Sequence, residues 1–279
     1  MQNSSENTIS DDDYVLSRTS EEYRRLRIQS LAWEKATEAI FNKIELSEGL
    51  SCLDIGCGPG EVMRLMGQHV GKTGSVVGVD TDGKIGREAL SMLRSKGQSN
   101  FDFVEGDFQK MNEYFSGKQY DLVYSRFLLI HMNDHISSLK KMYQLVRPKG
   151  YLVIQDYDFR TLDEYPVNES MEEVKKVFFG VMEKSGRDIR IGSKLPYYFI
   201  KAGIGAPDGV QVDGHLSPRT ENEMGRETYK SVFPLALKLG LTTEEKYKSY
   251  LKHSDNLKDK ESHYILWPLC IGVYKKRQK

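Results

Sequence analysis

The stretch CLDIGCGPGEVMRLM, Cys52 to Met66, begins as a short apolar run. It then breaks into glycines at alternate positions 56, 58 and 60, and continues with a helical pattern. A strand that ends in such a loop and passes into a helix forms the ligand-binding corner of open α/β sheets. Missing β-carbons let the backbone turn tightly and let a ligand approach closely. A turn that serves only tight packing needs the same residues. The spacing narrows the choice of ligand. A dinucleotide fingerprint runs G-x-G-x-x-G and sets a pyrophosphate at the helix amino end. Here the order is Gly56-x-Gly58-x-Gly60 with Pro59 between the last two, and no Gly-Lys-Ser/Thr follows.

Outward from this loop the chain alternates. SCLDIG reads as a first strand and residues 61–70 as a helix. SVVGVD is a second strand, and Asp82 is placed to cap a helix carrying Ile85, Ala89, Met92 and Leu93. FDFVEGD and YDLVYS are a third and a fourth strand, with a helix starting near Asn133. GYLVIQDYD is a fifth. β-rich runs separated by helices predict a mostly parallel sheet covered on both faces. Upstream, Thr19 and Glu22 form a capping-box pattern for a helix through Trp33, Ala36, Ile40 and Ile44, with Arg24 and Arg25 toward its wetter side. Downstream, 169–184, GSKLPYYFIKAG, 221–240 and 243–252 read as helices, with Pro196 in a first turn and a charged turn over 255–261. GVQVDGHLS and YILWPLCIGVYKK read as strands, the second weakened by Pro268. The late helices therefore fall between strands, as a cap over a site. The divisions are 1–44 for the N-terminal segment and cap helix, 45–158 for a ligand-binding core, and 159–279 for completion of the sheet with helical insertions.

Composition excludes several classes. The 279 residues carry 40 basic and 40 acidic side chains, so no global charge draws the chain to nucleic acid or an anionic membrane. Cys52, Cys57 and Cys270 match no zinc or disulfide framework, which favours a reducing compartment and buried or incidental roles. The polar, acidic MQNSSENTISDDDY lacks the basic start and apolar core of a signal peptide, and no 18-residue apolar run occurs. The expected location is cytoplasmic. No spacing demands a metal.

Three acids stand near successive strand ends. Asp54 can anchor loop amides or orient a cationic group, and Asp80 can accept from both hydroxyls of a ribose. Asp107 can accept from an adenine amine. Phe108 either stacks on that ring or fills the sheet edge. Such a field repels a phosphate but suits a ribose and a sulfonium amino acid.

With these residues in hand, LDIGCGPG and the region 45–158 resemble the class I S-adenosylmethionine-dependent methyltransferases, in particular the small-molecule branch typified by ubiquinone and menaquinone methyltransferases. The resemblance implies a Rossmann-like, seven-stranded, mostly parallel α/β sheet with helices on both faces, a reversed hairpin from the last two strands, an N-terminal helix and a helical cap inserted before the last strand. It implies that Gly56, Cys57, Gly58 and Gly60 cradle the amino-acid end of S-adenosylmethionine, with Asp54 below them. Asp80 and Thr81 would meet ribose, Asp107 and Phe108 adenine, and the backbone near Ser125 and Arg126 the amino group. Leu128 to His131 would face the transfer site. The implied reaction is methyl transfer to a small, partly apolar molecule, by a monomer or homodimer without nucleic-acid or membrane partners. A nicotinamide oxidoreductase and a catalytically silent S-adenosylmethionine-binding regulator are the alternatives.

For chemistry at the acceptor, His131 is the base candidate because it follows the fourth strand and an ordinary imidazole titrates near neutrality. Asp156 or Asp158, bracketing Tyr157, would bind a polar substrate or support His131. Tyr14, Tyr23 and Trp33 would help close the pocket, Arg27 and Gln29 could reach a cofactor carboxylate, and Tyr197, Tyr198, Phe199, Met224 and Phe233 either line an apolar pocket or pack as ordinary core.

Overall fold

A computed structural model describes residues 20–95, 99–218, 224–257 and 262–278. The alternating runs form strands β1 (Ser51–Ile55), β2 (Ser75–Asp80), β3 (Phe101–Glu105), β4 (Tyr120–Arg126) and β5 (Val146–Asp158). These pair in parallel, in the order β3-β2-β1-β4-β5. The sheet continues through β10 (Leu269–Lys276), antiparallel to β5, to β7 (Gly209–Asp213) at the far edge. This is the seven-stranded Rossmann-like sheet with a reversed last strand that the sequence predicts.

Alternation along each strand divides the core. Leu53, Ile55, Val123, Leu152 and Ile154 face one side, where α6 (His135–Gln144), α7 (Glu169–Lys184), α8 (Ile191–Lys201) and α9 (Met224–Lys238) supply Leu139, Val177, Leu195 and Val232. Cys52, Leu122, Tyr124 and Val153 face the other, against Ile40 and Phe41 of α2 (Glu34–Lys43) and Met63 and Met66 of α3 (Glu61–Val70). A strand buried on both faces requires near-continuous apolar sequence, and these strands have it. Fully burying each such side chain is worth roughly 1.5–3 kcal/mol. On the second face, α4 (Gly83–Ser95) is capped by Asp82, whose Oδ1 accepts from the amides of Lys84 (3.1 Å) and Ile85 (3.2 Å). The short α5 (Asn112–Phe115) follows β3, and α10 (Glu244–Leu257) packs on α7 and α9.

Several expectations change. The N-terminal helix is not continuous: α1 (Ser20–Ala32) ends at Trp33, and α2 starts after it. Trp33 is buried among Phe127, Tyr157, His215 and Trp267, and its indole N–H donates to Tyr157 Oη (2.6 Å). That anchor lets α1 swing over the ends of the strands while α2 lies on the sheet. The Thr19–Glu22 capping box and Tyr14 lie outside the described side chains. The helix near Asn133 begins at His135, capped by Asp134 accepting from Ser137 N–H (2.9 Å). The helix containing Pro196 starts at Ile191, so Pro196 sits in its interior rather than in its first turn. Of the charged turn at 255–261, residues 255–257 belong to α10 and 258–261 lie outside the described residues.

YILWPLCIGVYKK is two strands. Tyr264–Leu266 (β9) pairs with β6 (Asp163–Tyr165) and β8 (Leu216–Pro218) in a separate antiparallel sheet, and the chain changes sheets at Trp267-Pro268. GVQVDGHLS is likewise divided between the two sheets. Among the described residues, no helix is long and apolar enough to cross a membrane.

Candidate active site

A cavity of about 760 Å³ opens at the carboxyl ends of β1 to β4, with α1 and α9 contributing its far wall. The glycine loop forms its floor. The amides of Gly56 and Cys57 donate to Val79 O (2.8 and 3.1 Å), tying the loop to the end of β2. The three glycines share left-handed backbone but not a role. Gly58 (φ +48°) borders the cavity, and a β-carbon there would meet no atom within 4 Å, so its open side is a cradle. Gly60 (φ +76°) does not border the cavity. A β-carbon on it would lie 2.8 Å from Ala89 Cβ, so this glycine allows α3 to approach α4. Gly60 thus departs from its expected cofactor role for a packing reason. Cys57 borders the cavity but is buried, and burial holds its thiol well above the ordinary value.

The acids at the first three strand ends line the cavity, in three different states. Asp54 is 1% exposed, its Oδ2 has no hydrogen-bond partner, and burial pushes its carboxyl up to about 7 against the attraction of Arg126. Asp80 accepts from Gly58 N–H through Oδ2 (2.8 Å) and from Asp82 N–H through Oδ1 (2.9 Å), which clamps the glycine loop to the turn after β2. Thr81 lies beside it on the wall. Asp107 accepts from Gln109 N–H (2.9 Å) and lies 3.6 Å from Lys110 Nζ, while keeping a partly exposed carboxylate. Phe108 also touches the cavity. Its ring is 3% exposed, packs edge-on against Phe115 and carries Lys141 Nζ above it at 4.8 Å, which matches the sheet-edge alternative.

At the end of β4 the expectations separate. Ser125 is buried away from the cavity and donates its hydroxyl to Ile55 O (2.8 Å). Arg126 reaches the cavity but is held from behind by Thr37 Oγ1 (2.9 Å) and Ser30 Oγ. The next residue, Phe127, has φ +58°, strained for a side chain of that bulk, and stacks on Tyr157 at 3.8 Å. That turn presents Leu128, Ile130, His131 and Met132 to the cavity.

Asp156 is fully buried and does not border the cavity. Its carboxylate accepts from Tyr157 N–H (2.8 Å) and Ile130 N–H (3.1 Å), and burial raises it to about 7. It therefore organises the turn that carries His131 and is sealed from a substrate. Asp158 is bound by Arg160 and Ser193 and held at about 2, its hydrogen bonds outweighing the opposing effect of burial. His131 does line the cavity, but burial, with Arg187 and Arg25 adding to it, lowers its imidazole to about 3. It is neutral at neutral pH, so the premise of titration near 7 does not hold.

The far wall contains one residue expected on the outside of its helix, beside two expected at the pocket. Arg25, assigned to the wetter side of its helix, is 6% exposed and borders the cavity with Gln29 and Tyr23. Tyr23 Oη donates to Asp82 Oδ2 (2.8 Å), and Gln29 Nε2 donates to Tyr157 Oη (2.9 Å). The clue was in the spacing: Arg25, Gln29 and Trp33 recur every four residues, on the face that Trp33 buries. Arg27 lies on the other side, 3.6 Å from Glu61, and is absent from the cavity wall, as is Trp33. Phe159, Phe178, Met182, Met224 and Trp267 complete the apolar end, with Arg187 beside them. Tyr197 is exposed, Tyr198 packs on His135, Phe199 is core and Phe233 stacks on Tyr247, so none of these four lines the cavity. Among the described residues, no cluster of three or more His, Cys, Asp or Glu side chains could hold a metal ion.

Comparison with known proteins agrees with this geometry. Residues 46–203 match the family described as a methyltransferase domain. The chain is 27% identical over 210 residues to a demethylmenaquinone methyltransferase of Oceanobacillus iheyensis, covering 70% of this chain and 83% of that protein. It is 26% identical over 190 residues to the Lactococcus lactis protein of the same name, covering 62% and 75%. Among solved structures, a phosphoethanolamine N-methyltransferase 2 from Haemonchus contortus, in complex with S-adenosyl-L-methionine, superposes with a TM-score of 0.54 at 16% identity. That match covers 98% of this chain and 61% of the other.

Proposed function

The chain belongs to the methyltransferase-domain family as an S-adenosylmethionine-dependent enzyme acting on a small molecule, and on that premise we propose that the two ends of its cavity hold the two reactants separately. The observation that carries this reading is the continuity of one cavity from the Gly58 cradle and Asp54 to an aromatic and methionine wall. The residues at the glycine-loop end fit the methyl donor. The buried Oδ2 of Asp54 is an acceptor suited to an ammonium group, and the open side of Gly58 admits a main chain. Asp80 borders the cavity where a ribose would lie, Thr81 adjoins it, and Asp107 offers a carboxylate to an adenine amine. When bound there, S-adenosylmethionine supplies an electrophilic methyl group for in-line displacement.

The rest of the work falls to this chain's own residues. Phe127, Leu128, Ile130 and Met132 exclude water from the β4 end and align an apolar acceptor, as orientation and desolvation require. Neutral His131 contributes a hydrogen bond there rather than strong basicity. Asp156 is a positioning residue for the turn, through the amide of Ile130. In this division residues 45–158 hold the donor, while the N-terminal segment (1–44) and residues 159–279 cover the acceptor. We place the enzyme in the cytoplasm, as a monomer or homodimer, in keeping with three buried free cysteines.

Incubation with methyl-labelled S-adenosylmethionine and a panel of apolar aromatic alcohols, amines and acids tests this reading. Label should enter at least one extracted small molecule. Tight S-adenosylhomocysteine binding with no transfer to any acceptor, including extracts of the source cell, would instead indicate a silent regulator.

A further inference from the structure

A buried cation stands beside the acids at the glycine-loop end. Arg126 closes β4, and the parallel register sets Asp54 opposite Tyr124, two residues before it. Side chains two apart on a strand share a face. Asp54, Tyr124 and Arg126 therefore lie on the α2 and α3 side of the sheet, and the first and last of them border the cavity. Both are buried, Asp54 at 1% exposed and Arg126 at 9%, and Arg126 attracts the Asp54 carboxylate without an ion pair closing between them. The guanidinium instead donates to two neutral hydroxyls, Thr37 Oγ1 (2.9 Å) and Ser30 Oγ. Thr37 gives its own proton to Gln155 Oε1 (2.9 Å), so Arg126 is braced from behind. A guanidinium has more N–H donors than two hydroxyls use. Burying it without an anion is costly.

The two hydroxyls lie on different helices. Ser30 belongs to α1 and Thr37 to α2, one on each side of the break at Trp33. Arg126 is thus a joint between the cavity floor and the helix that walls it with Tyr23, Leu26 and Gln29. Near the other end of α1, Tyr23 Oη donates to Asp82 Oδ2 (2.8 Å) in the turn after β2. Asp54 and Arg126 together offer a buried acceptor and a buried cation on one face of the sheet, the complement of a zwitterion. A carboxylate matches the planar, fixed donors of a guanidinium. It would supply the anion and strengthen the arrangement in which Ser30 and Thr37 hold that guanidinium.

We infer that the Arg126 side chain receives the carboxylate of the methyl donor, whose ammonium group faces Asp54, and that this contact fixes α1 over the cavity. This rests on the reading that the glycine-loop end holds the donor. It gives a role to a side chain where the family resemblance implies only the neighbouring backbone. Because α1 also walls the acceptor's end, the donor's amino-acid portion then helps complete the site for the second reactant.

The test compares S-adenosylhomocysteine with its decarboxylated analogue, which keeps the adenosine, the thioether and the ammonium group, on the full chain. A charge-assisted contact to arginine should make the wild type bind the amino acid about tenfold or more tightly than the analogue. Arg126→Met should lose most of that preference, and Arg126→Lys should keep part of it. Arg126 is buried, so a melting curve accompanies both variants, and amide hydrogen exchange of the wild type decides alone if they fail to fold. Exchange in α1 should slow with saturating S-adenosylhomocysteine and much less with the saturating analogue, whereas the glycine loop should be protected by both. Equal binding of the two ligands, a preference that survives Arg126→Met, or equal protection of α1 by both ligands overturns the inference. Absence of binding by either ligand refutes the donor reading itself. Binding of both with equal affinity and with the glycine loop protected refutes only the carboxylate contact.

Discussion

The glycine-loop end and the β4 end of this cavity are built in contrasting ways. At the first, short strand-to-helix loops place acids and glycines directly at adjacent strand ends, so a few consecutive residues set each part of the surface. At the second, the wall is collected from α1, the turn after β4, the turn after α7, the start of α9 and the crossover at Trp267-Pro268. Two buried carboxylates show the difference in small. Asp54 and Asp156 are both raised to about 7 by burial, yet Asp54 borders the cavity with an unpartnered oxygen while Asp156 is bonded to amides that shape the opposite end. One surface presents its side chains to the cavity, and the other uses a buried side chain to shape the backbone that borders it.

The largest effect should come from confusing ligand glycine with packing glycine. Gly60→Val places a branched side chain in left-handed backbone against Ala89 and should cost about 2–5 kcal/mol, read by urea denaturation. Gly58→Ala should cost only about 1–2 kcal/mol of stability, since nothing faces its β-carbon, yet weaken S-adenosylhomocysteine binding markedly. Equal losses of stability in the two variants would erase the distinction.

A second contrast is in pH. Both aspartates have folded values above the ordinary 3.8, so the native state takes up protons first. Their stabilising contribution is complete below about 3.8 and is lost as pH rises through about 7. Asp54→Asn and Asp156→Asn should each flatten the fall in stability across that window. Ionised Asp54 should favour an ammonium ligand, so S-adenosylhomocysteine affinity should rise through about pH 7 in the wild type and in Asp156→Asn, and stay flat in Asp54→Asn. An Asp54→Asn variant that keeps the wild-type dependence would detach this carboxylate from the ligand.

His131 provides the smallest effect. With its imidazole at about 3, it should contribute no limb to kcat/KM between pH 5 and 9, and His131→Asn should change the height of the profile but not its shape. A limb near 6.5 that disappears in the variant would restore the titrating base that the position after β4 suggests.

The same contrast explains what could be read in the sequence. β1 to β5, the glycine loop and the Asp82 cap were legible because strand period, loop glycines and caps are local signals, whereas the reversed last strand followed only from the family resemblance. The break at Trp33 was not, because it depends on Tyr157 and Trp267, more than a hundred residues away. Arg25 was read as exposed from its charge, although its four-residue spacing from Gln29 and Trp33 placed it inward. Arg187 follows the Gly186 turn with no periodic signal at all. Tyr197, Tyr198 and Phe199 stayed open between pocket wall and ordinary packing, because aromatic content cannot distinguish a cavity from the packing around the neighbouring helix.

The division of the cavity itself is tested most directly by titrating S-adenosylhomocysteine into Asp80→Ala and Arg187→Gln side by side in a calorimeter. Asp80 clamps the Gly58 loop and faces the proposed ribose site, so its removal should weaken binding by about tenfold or more. Arg187→Gln should bind with wild-type affinity. Unchanged affinity in Asp80→Ala, or a matching loss in Arg187→Gln, would contradict the separation of donor and acceptor between the two ends.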